Sequence, residues 1–369
     1  MNRVARTGLL NDLKVLDLSR ILAGPFAAQM LGDFGAQVTK VEHPRGDDTR
    51  RWGPPFVADT ERNAHNAAYF YCANRSKRII RADFKTPEGL QIVKALAADA
   101  DVLIENYKVD SLTRYGLDYA SVKKDNPALV YCSITGFGQT GPYRHQPGFD
   151  FIIQGLSGLM SVTGAPDCDG GEPMRAGVAV SDLFAGLHAS TAILAALRSR
   201  DTTGRGCHID ISLLDVQVAM LANQAANYLN GGDVPGRIGN THPNIAPYQV
   251  FSTASEPIII AVGNDAQFSQ LCNVLEQPSW ADDSRFDHNA SRVIHRDELA
   301  ARMTDVLVTK SAKVWLDLLT LKGVPAGPIN TLDEVFRDPQ VVARQLCQDT
   351  VIDNTRVRTV ANPVVINTP

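Results

Sequence analysis

The stretch KVLDLSRILAGPFAAQMLGDFGAQVTKVE, residues 14 to 42, decides the fold. Its opening, Lys14 to Ser19, is a short apolar run that reads as a strand. A Gly-Pro step follows, and AAQMLGDFGA has the apolar spacing of a helix entered through Pro25, whose fixed φ and missing N–H suit a first helical turn. QVTKVE, residues 37 to 42, reads as a second strand. A strand, a helix and a strand in sequence form a crossover, which is right-handed and leaves its strands parallel.

Working outward, the alternation repeats. KRIIRADF at 77 to 84 is extended, TPEGLQIVKALAADA at 86 to 100 is helical, and ADVLIENY at 100 to 107 is extended again. LVYCSITGF at 129 to 137 adds a buried strand whose end opens into the glycine-rich stretch 136 to 164. The pattern predicts an α/β fold with a parallel sheet and helices on both faces, and in such sheets ligands sit beyond the carboxyl ends of the strands. LFAGLHASTAILAALRSR, after Asp182, is a strong helix candidate, TTGRG turns the chain, and CHIDISLLDVQVAML begins with a strand. From Asn223 onward the character changes, with NTHPNIAPYQVF, a strand in EPIIIAVG and amphipathic helices in DELAARMTDVLVTKSAKVWLDLLTLKG. The expected division is a large α/β domain over 1–222, a smaller α+β domain over 223–330, and a segment 331–369 that returns to the large domain.

With 44% hydrophobic and 21% charged residues in 369, the chain can bury a large core, and its net charge of -4 gives no global field for nucleic acid. The six cysteines are dispersed, with no close pair for a zinc knuckle and no disulfide framework. The amino-terminal stretch is too broken to be a signal core, and no uninterrupted membrane span stands out in the sequence. The expectation is a cytoplasmic protein with no membrane or nucleic-acid partner.

The first strand runs into SRILAGPFAAQMLGDFG without the compact GxGxxG spacing, no GxxxxGK[ST], GxSxG or HExxH motif is present, and the eight histidines are mostly isolated, so no metal site is expected. What recurs is acids beside glycine-rich loops and basic residues at strand ends. Asp150 in QPGFD suits a turn acceptor. NRSKR at 74 to 78 is either a solvated strand edge or a phosphate grip, and Arg114 with Tyr115 either covers a helix or meets a nucleotide. Asp182, in RAGVAVSDLFAGLHAS at 175 to 190, has two readings. It caps the helix that follows, or the fold has placed it to react.

Five stretches together resemble the class III CoA-transferases of the CaiB/BaiF family, the group of the formyl-CoA and succinyl-CoA transferases. They are residues 14 to 50, NRSKRIIRADFKTPEG, DVLIENYKVDSLTRYGLDY, SITGFGQTGPYRHQPGFD and AVSDLFAGLHASTAILAAL. The match runs in family order from residue 8 to 345, and GPY…PGFD with a later SD is its most specific part. The resemblance implies a Rossmann-like large domain, a smaller domain, and a homodimer of interlocked chains. It implies CoA esters as substrates, with no tightly bound cofactor. It also makes Asp182 the nucleophile of an aspartyl mixed anhydride and an aspartyl-CoA thioester, with its helix amino terminus favouring the ionised carboxylate.

By the same resemblance, CoA-binding positions fall on Leu22 and Ala23, His43, Ala73, Asn74, Arg75, Ser76 and Lys77. They continue on Asn106, Tyr107, Lys108 and Arg114, and on Pro147, Gly148, Phe149 and Asp150. His43 stands where relatives carry arginine, and Asp150 where formyl-transferring members carry glutamate. The related α-methylacyl-CoA racemases use a histidine where this chain has Phe149, and a phenyl ring cannot exchange a proton. A CoA-binding protein without catalysis would be expected to lose the acid that this chain keeps at Asp182. GNTHPNIAPYQVF resembles transferases of succinyl-CoA and C4–C5 dicarboxylates. A distal carboxylate would then meet Arg237 first, Arg175 second, or His242.

Overall fold

The computed structural model describes residues 8–59 and 64–366. Six strands form one parallel sheet: β1 Lys14–Asp17, β2 Gln37–Glu42, β3 Lys77–Arg81, β4 Val102–Glu105, β5 Val130–Thr135 and β6 His208–Ser212. Their order is β3-β2-β1-β4-β5-β6, and every pairing is parallel. This is the doubly wound order, in which the chain reverses direction across the sheet between β1 and β4 and leaves a crevice at their carboxyl ends. All six strands fall where the apolar runs predict them.

The crossover from β1 to β2 is α1, Ala23–Asp33, with Pro25 in its first turn. Pro87–Ala98, α2, joins β3 to β4, and Tyr119–Asp125, α3, precedes β5. After β5 come α4, Asp150–Leu156, and the long α5, Val180–Thr203, before β6 and α6, Leu213–Met220. Two apolar clusters flank the sheet. One joins Ala27 and Leu31 of α1 to Ala185, Ala189 and Ile193 of α5, and the other joins Leu103 of β4 to Val93 of α2 and Val122 of α3. Gly186 is what lets α5 lie so close, because a Cβ there would stand 2.7 Å from the Ala23 carbonyl oxygen. By length and hydropathy α5 could span a membrane, contrary to the sequence expectation of no such segment. Its small residues form the core face of the large unit instead.

The second compact unit comprises residues 160–174 and 223–337, so its first piece is drawn from the stretch assigned to the large domain by sequence. The physical reason is local: Gly239 N–H donates to the Gly164 carbonyl, and the Arg237 guanidinium binds the Ala165 and Gly171 carbonyls and the Asp167 carboxylate. The unit holds the antiparallel strands β7 Tyr248–Phe251, β8 Ile258–Ala261 and β9 Ala326–Pro328. Phe268, Met303 and Trp315, from the helices α7 Asp265–Val274, α8 Arg296–Leu307 and α9 Ala312–Leu321, fill its core. The chain rejoins the first unit from Asp338, several residues later than expected. It returns as a hairpin, β10 Cys347–Ile352 with β11 Thr355–Val360, whose Ile352 and Val357 pack on Phe70 and Tyr71.

Candidate active site

At the carboxyl end of β1 the backbone makes a turn that is costly to hold. Ile21, a β-branched residue, has φ 70°, a region such side chains avoid. Neighbours pin it from three directions. Asn106, just past β4, accepts from Arg20 N–H at 2.8 Å and donates to the Arg20 carbonyl at 2.7 Å. The Asp47 carboxylate accepts from Ile21 N–H at 3.3 Å, and Lys40 Nζ donates to the Ser19 carbonyl at 2.8 Å. Leu22 and Ala23, both buried, follow as the entry to α1, which has no side-chain cap.

Beneath this turn lies a dry charge network. Lys77 Nζ sits 2.8 Å from Asp17, and Lys40 Nζ sits 4.0 Å from Asp17 and 3.2 Å from Asp47. Burial alone would raise the Asp17 carboxyl, but Lys77 and Lys40 reverse this and hold it low. Burial pushes Lys77 down to about 8 against the pull of Asp17. Such a network fixes the floor of the crevice, because every charge in it depends on its partner.

The structure divides the sequence-predicted binding residues. His43, at the end of β2, has its Nε2 3.3 Å from Asp83, just past β3. Phe84 packs edge-on against Tyr107 and Tyr115, Arg20 stacks over Tyr107, and exposed Arg114 lies over Tyr115. These residues, with exposed Lys108, gather at the carboxyl ends of β1 to β4. Ala73 to Lys77 do not. The pairing Val38↔Lys77 puts that segment at the amino end of β3, where Arg75 and Ser76 bind Asp33 at the end of α1. Asn74 donates to the Phe70 carbonyl and accepts from Lys77. The side chains of Asn74, Arg75 and Lys77 are therefore committed internally. The segment that does reach the crevice beyond β3 is Ala82 to Lys85, which sequence reading passed over although it ends the same apolar run.

A cavity of about 210 Å³ opens beside β4, lined by Glu105, Ser133, Tyr119 and His208 among others, but neither Asp150 nor Asp182 lines it. Glu105 is pushed up to about 7 by burial, while its carboxylate accepts from Tyr107 N–H at 2.8 Å and so shapes the turn that carries Asn106. Among the described residues no cluster of three or more His, Cys, Asp or Glu could hold a metal ion.

The acids lie across the sheet's other helix layer. Gly136 and Gly148 face each other so closely that a Cβ on Gly148 would stand 2.3 Å from the Gly136 Cα, and this closure ends the glycine loop at Phe149 and Asp150. Pro147 and Phe149 are exposed, and Asp150 opens α4. Both carboxylate oxygens of Asp150 are used. One accepts from Ser181 N–H at 2.8 Å and the other from Gln154 Nε2 at 2.7 Å, while Gln154 Oε1 accepts from Ala176 N–H at 2.9 Å.

Asp182 is not the cap of α5, and the sequence reading is corrected here. The cap position is Ala179, which has no side-chain bond, and Asp182 stands in the first turn. Asp150 supplies from outside the acceptor that a cap would provide. The Asp182 carboxylate is left without a hydrogen bond among the described residues and is pushed up to about 7, first by burial and then by the negative charge of Asp150. The expectation that the helix end keeps it ionised well below neutrality is therefore reversed. Tyr69 shares this environment. Its phenol is pushed up to about 12 by burial, with smaller contributions from Cys72, Asp182 and Asp150. Its sequence context, AAYFYCAN, gives no sign of this proximity.

A carboxylate in the first turn of a long helix, half-buried and without a partner among the described residues, is equipped to attack a carbonyl carbon. Comparisons with known proteins identify the family. The model of CoA-transferase family III matches residues 10–368. The chain is 52% identical to succinate--glutarate CoA-transferase of Agrobacterium fabrum, over 97% of this chain and 89% of that one. It is 46% identical to mouse succinyl-CoA:glutarate CoA-transferase, over 92% of this chain and 76% of that one. The crystal structure of a CAIB/BAIF family protein from Brucella suis superimposes with a TM-score of 0.84 at 49% identity, covering 96% of this chain and 92% of that one. A family model spanning nearly the whole chain, a shared fold and an unpartnered aspartate on the long helix lead to one assignment: this protein belongs to CoA-transferase family III.

Proposed function

We propose that this enzyme moves CoA from succinyl-CoA to a C4–C5 dicarboxylate, glutarate first among them, with Asp182 as the nucleophile. The observation that carries the reading is the Asp182 carboxylate itself, without a hydrogen bond among the described residues and raised to about 7 on the first turn of α5. The similarity to two succinyl-CoA and glutarate transferases supports the substrate pair.

The steps balance without oxidant, metal or net proton transfer. Ionised Asp182 attacks the thioester carbonyl of succinyl-CoA, the C–S bond breaks, and CoA thiolate leaves a succinyl-aspartyl anhydride. The thiolate attacks the aspartyl carbonyl, releasing succinate and leaving an aspartyl-CoA thioester. Glutarate attacks that thioester to form a second anhydride, and the thiolate then takes the glutaryl group and regenerates the Asp182 carboxylate. CoA esters are substrates throughout, and no resident cofactor is invoked. The nucleotide part of CoA is assigned to the crevice beyond β1 to β4, where the turn leading into Leu22 and Ala23, half-exposed His43 and the exposed side chains of Lys108 and Arg114 gather. Pro147 to Asp150 are assigned to the thioester end.

The assembly follows as a homodimer. The support is a set of large apolar side chains left in the open on α4 and α5, including Ile152 at 49%, Leu156 at 59% and Leu187 at 37% exposure. The enzyme is placed in the cytoplasm, working on small-molecule substrates alone. Incubation with succinyl-CoA and glutarate, followed by mass spectrometry of the CoA esters, tests the function. Glutaryl-CoA and free succinate should appear in equal amounts, and their absence would refute the substrate pair.

A further inference from the structure

We propose that Arg175 reads the distal carboxylate of the acyl group and so selects dicarboxylates over plain acyl chains. The inference rests on the transferase reading above and assigns its specificity to one side chain. Its basis is the brace formed by Asp150 and Gln154. That pair holds Ser181 N–H through Asp150 and Ala176 N–H through Gln154. Asp182 and Arg175 are the next residues along the chain from those two anchored points. The same pair therefore anchors the backbone beside both Asp182 and Arg175.

Arg175 is exposed, donates from one Nη to the Ala176 carbonyl at 3.4 Å, and has no carboxylate partner among the described residues. Its guanidinium lies 5.7 Å from the centroid of the Phe151 ring, itself exposed at the start of α4. An aromatic face orients a guanidinium while leaving its N–H groups in the plane available to a carboxylate. Phe149, Phe151 and Val178 supply apolar surface for the methylenes that separate the two ends of a succinyl or glutaryl group.

The other candidates are spoken for. Arg237, the first expectation from sequence, is almost fully buried and spends its donors on Asp167 and on the Ala165 and Gly171 carbonyls. His242 accepts from Asn244 N–H, and burial followed by Arg296 lowers its pKa, which favours the neutral ring. Arg144 is paired with Asp110 and Arg200 with Asp101. A distal carboxylate left against the apolar surface alone would be desolvated and unpaired, so a fixed cation is needed.

The test compares kcat/KM for succinyl-CoA and butyryl-CoA, two acyl groups of equal chain length, in the wild type and in Arg175→Lys, Arg175→Gln and Arg175→Glu. A ratio measured on one sample is insensitive to how much of it is folded. The wild type should favour succinyl-CoA, and the ratio should fall in the order Arg, Lys, Gln, Glu, with Arg175→Gln losing roughly 10- to 100-fold, the worth of a charge-assisted hydrogen bond. A ratio unmoved in Arg175→Gln and Arg175→Glu overturns the proposal while leaving the transferase reading intact. A wild type that makes no glutaryl-CoA from succinyl-CoA and glutarate overturns that reading and the role of Arg175 with it.

Discussion

Asp150 accepts the backbone N–H of Ser181 at 2.8 Å, so the acid at the start of α4 caps the helix that carries Asp182. One group thus does two opposed things. It fixes the direction of the helix that carries Asp182, and its charge opposes ionisation of Asp182. The result is a carboxyl that titrates near neutrality rather than near 4.

Replacing Asp182 with Asn should remove CoA transfer, by about 10³-fold or more, while acyl-CoA binding survives, since the amide keeps the size but cannot form the anhydride. Steady-state turnover and calorimetric binding on the same preparation check both halves. Turnover within tenfold of wild type would rule out Asp182 as nucleophile.

Activity should climb as the pH rises through about 7, because only the ionised carboxylate attacks. Asp150→Asn removes the nearby charge while an amide oxygen can still accept from Ser181. The acid limb of its kcat/KM profile should move to lower pH. A limb unchanged in that variant would show that Asp150 does not tune the nucleophile.

Stability should run the other way. The folded-state pKa of Asp182, about 7 against an ordinary 3.8, means the folded protein holds a proton that the unfolded chain has lost. Its contribution is full below pH 4, falls as the pH rises toward 7, and is flat above. Asp182→Asn should therefore melt higher than wild type, with a gap that opens between about pH 4 and pH 7 and corresponds to on the order of 4 kcal/mol at most. Melting curves across that range provide the check. A gap that is constant with pH would contradict the buried, raised carboxyl.

The turn at Ile21 gives a third kind of test. Asn106→Ala deletes both bonds to Arg20 and releases a strained backbone. The KM for acyl-CoA should rise about tenfold with kcat changed far less if, as proposed, the turn meets the carrier and not the reacting carbonyl. Equal loss in both parameters would place Asn106 in the chemistry.

Asp17→Asn should cost about 3–5 kcal/mol, because it leaves Lys77 and Lys40 buried with weakened partners. Denaturant unfolding measures it, and a loss under about 1 kcal/mol would mean the network relaxes or fills with water.

Much of this architecture could be read from the chain. The parallel strands announce themselves because they are buried on both faces, as in VLIE at β4 and VYCSIT at β5. The acids could be picked out because glycine and small residues surround them. Other features depend on register and packing, which sequence does not carry. NRSKR looks like a phosphate grip until strand pairing places it at the amino end of β3. Arg237 looks available until Asp167, distant in sequence, is seen to hold it. Asp182 looks like a cap because Asp commonly is one, and only the fold shows that Asp150 has taken that task.

The most direct test of the account labels the acceptor. If turnover runs with succinyl-CoA and glutarate carrying ¹⁸O in its carboxylates, the anhydride oxygen shared with glutarate stays on the aspartate when CoA takes the glutaryl group. Tryptic digestion then yields the peptide from Ala176 to Arg198, whose only side-chain carboxyl is Asp182. The account predicts that this peptide becomes heavier by incorporated ¹⁸O with turnover, and that label is absent when succinyl-CoA is omitted. An unlabelled Asp182 peptide after many turnovers, or label on any other peptide in its place, would contradict Asp182 as the nucleophile.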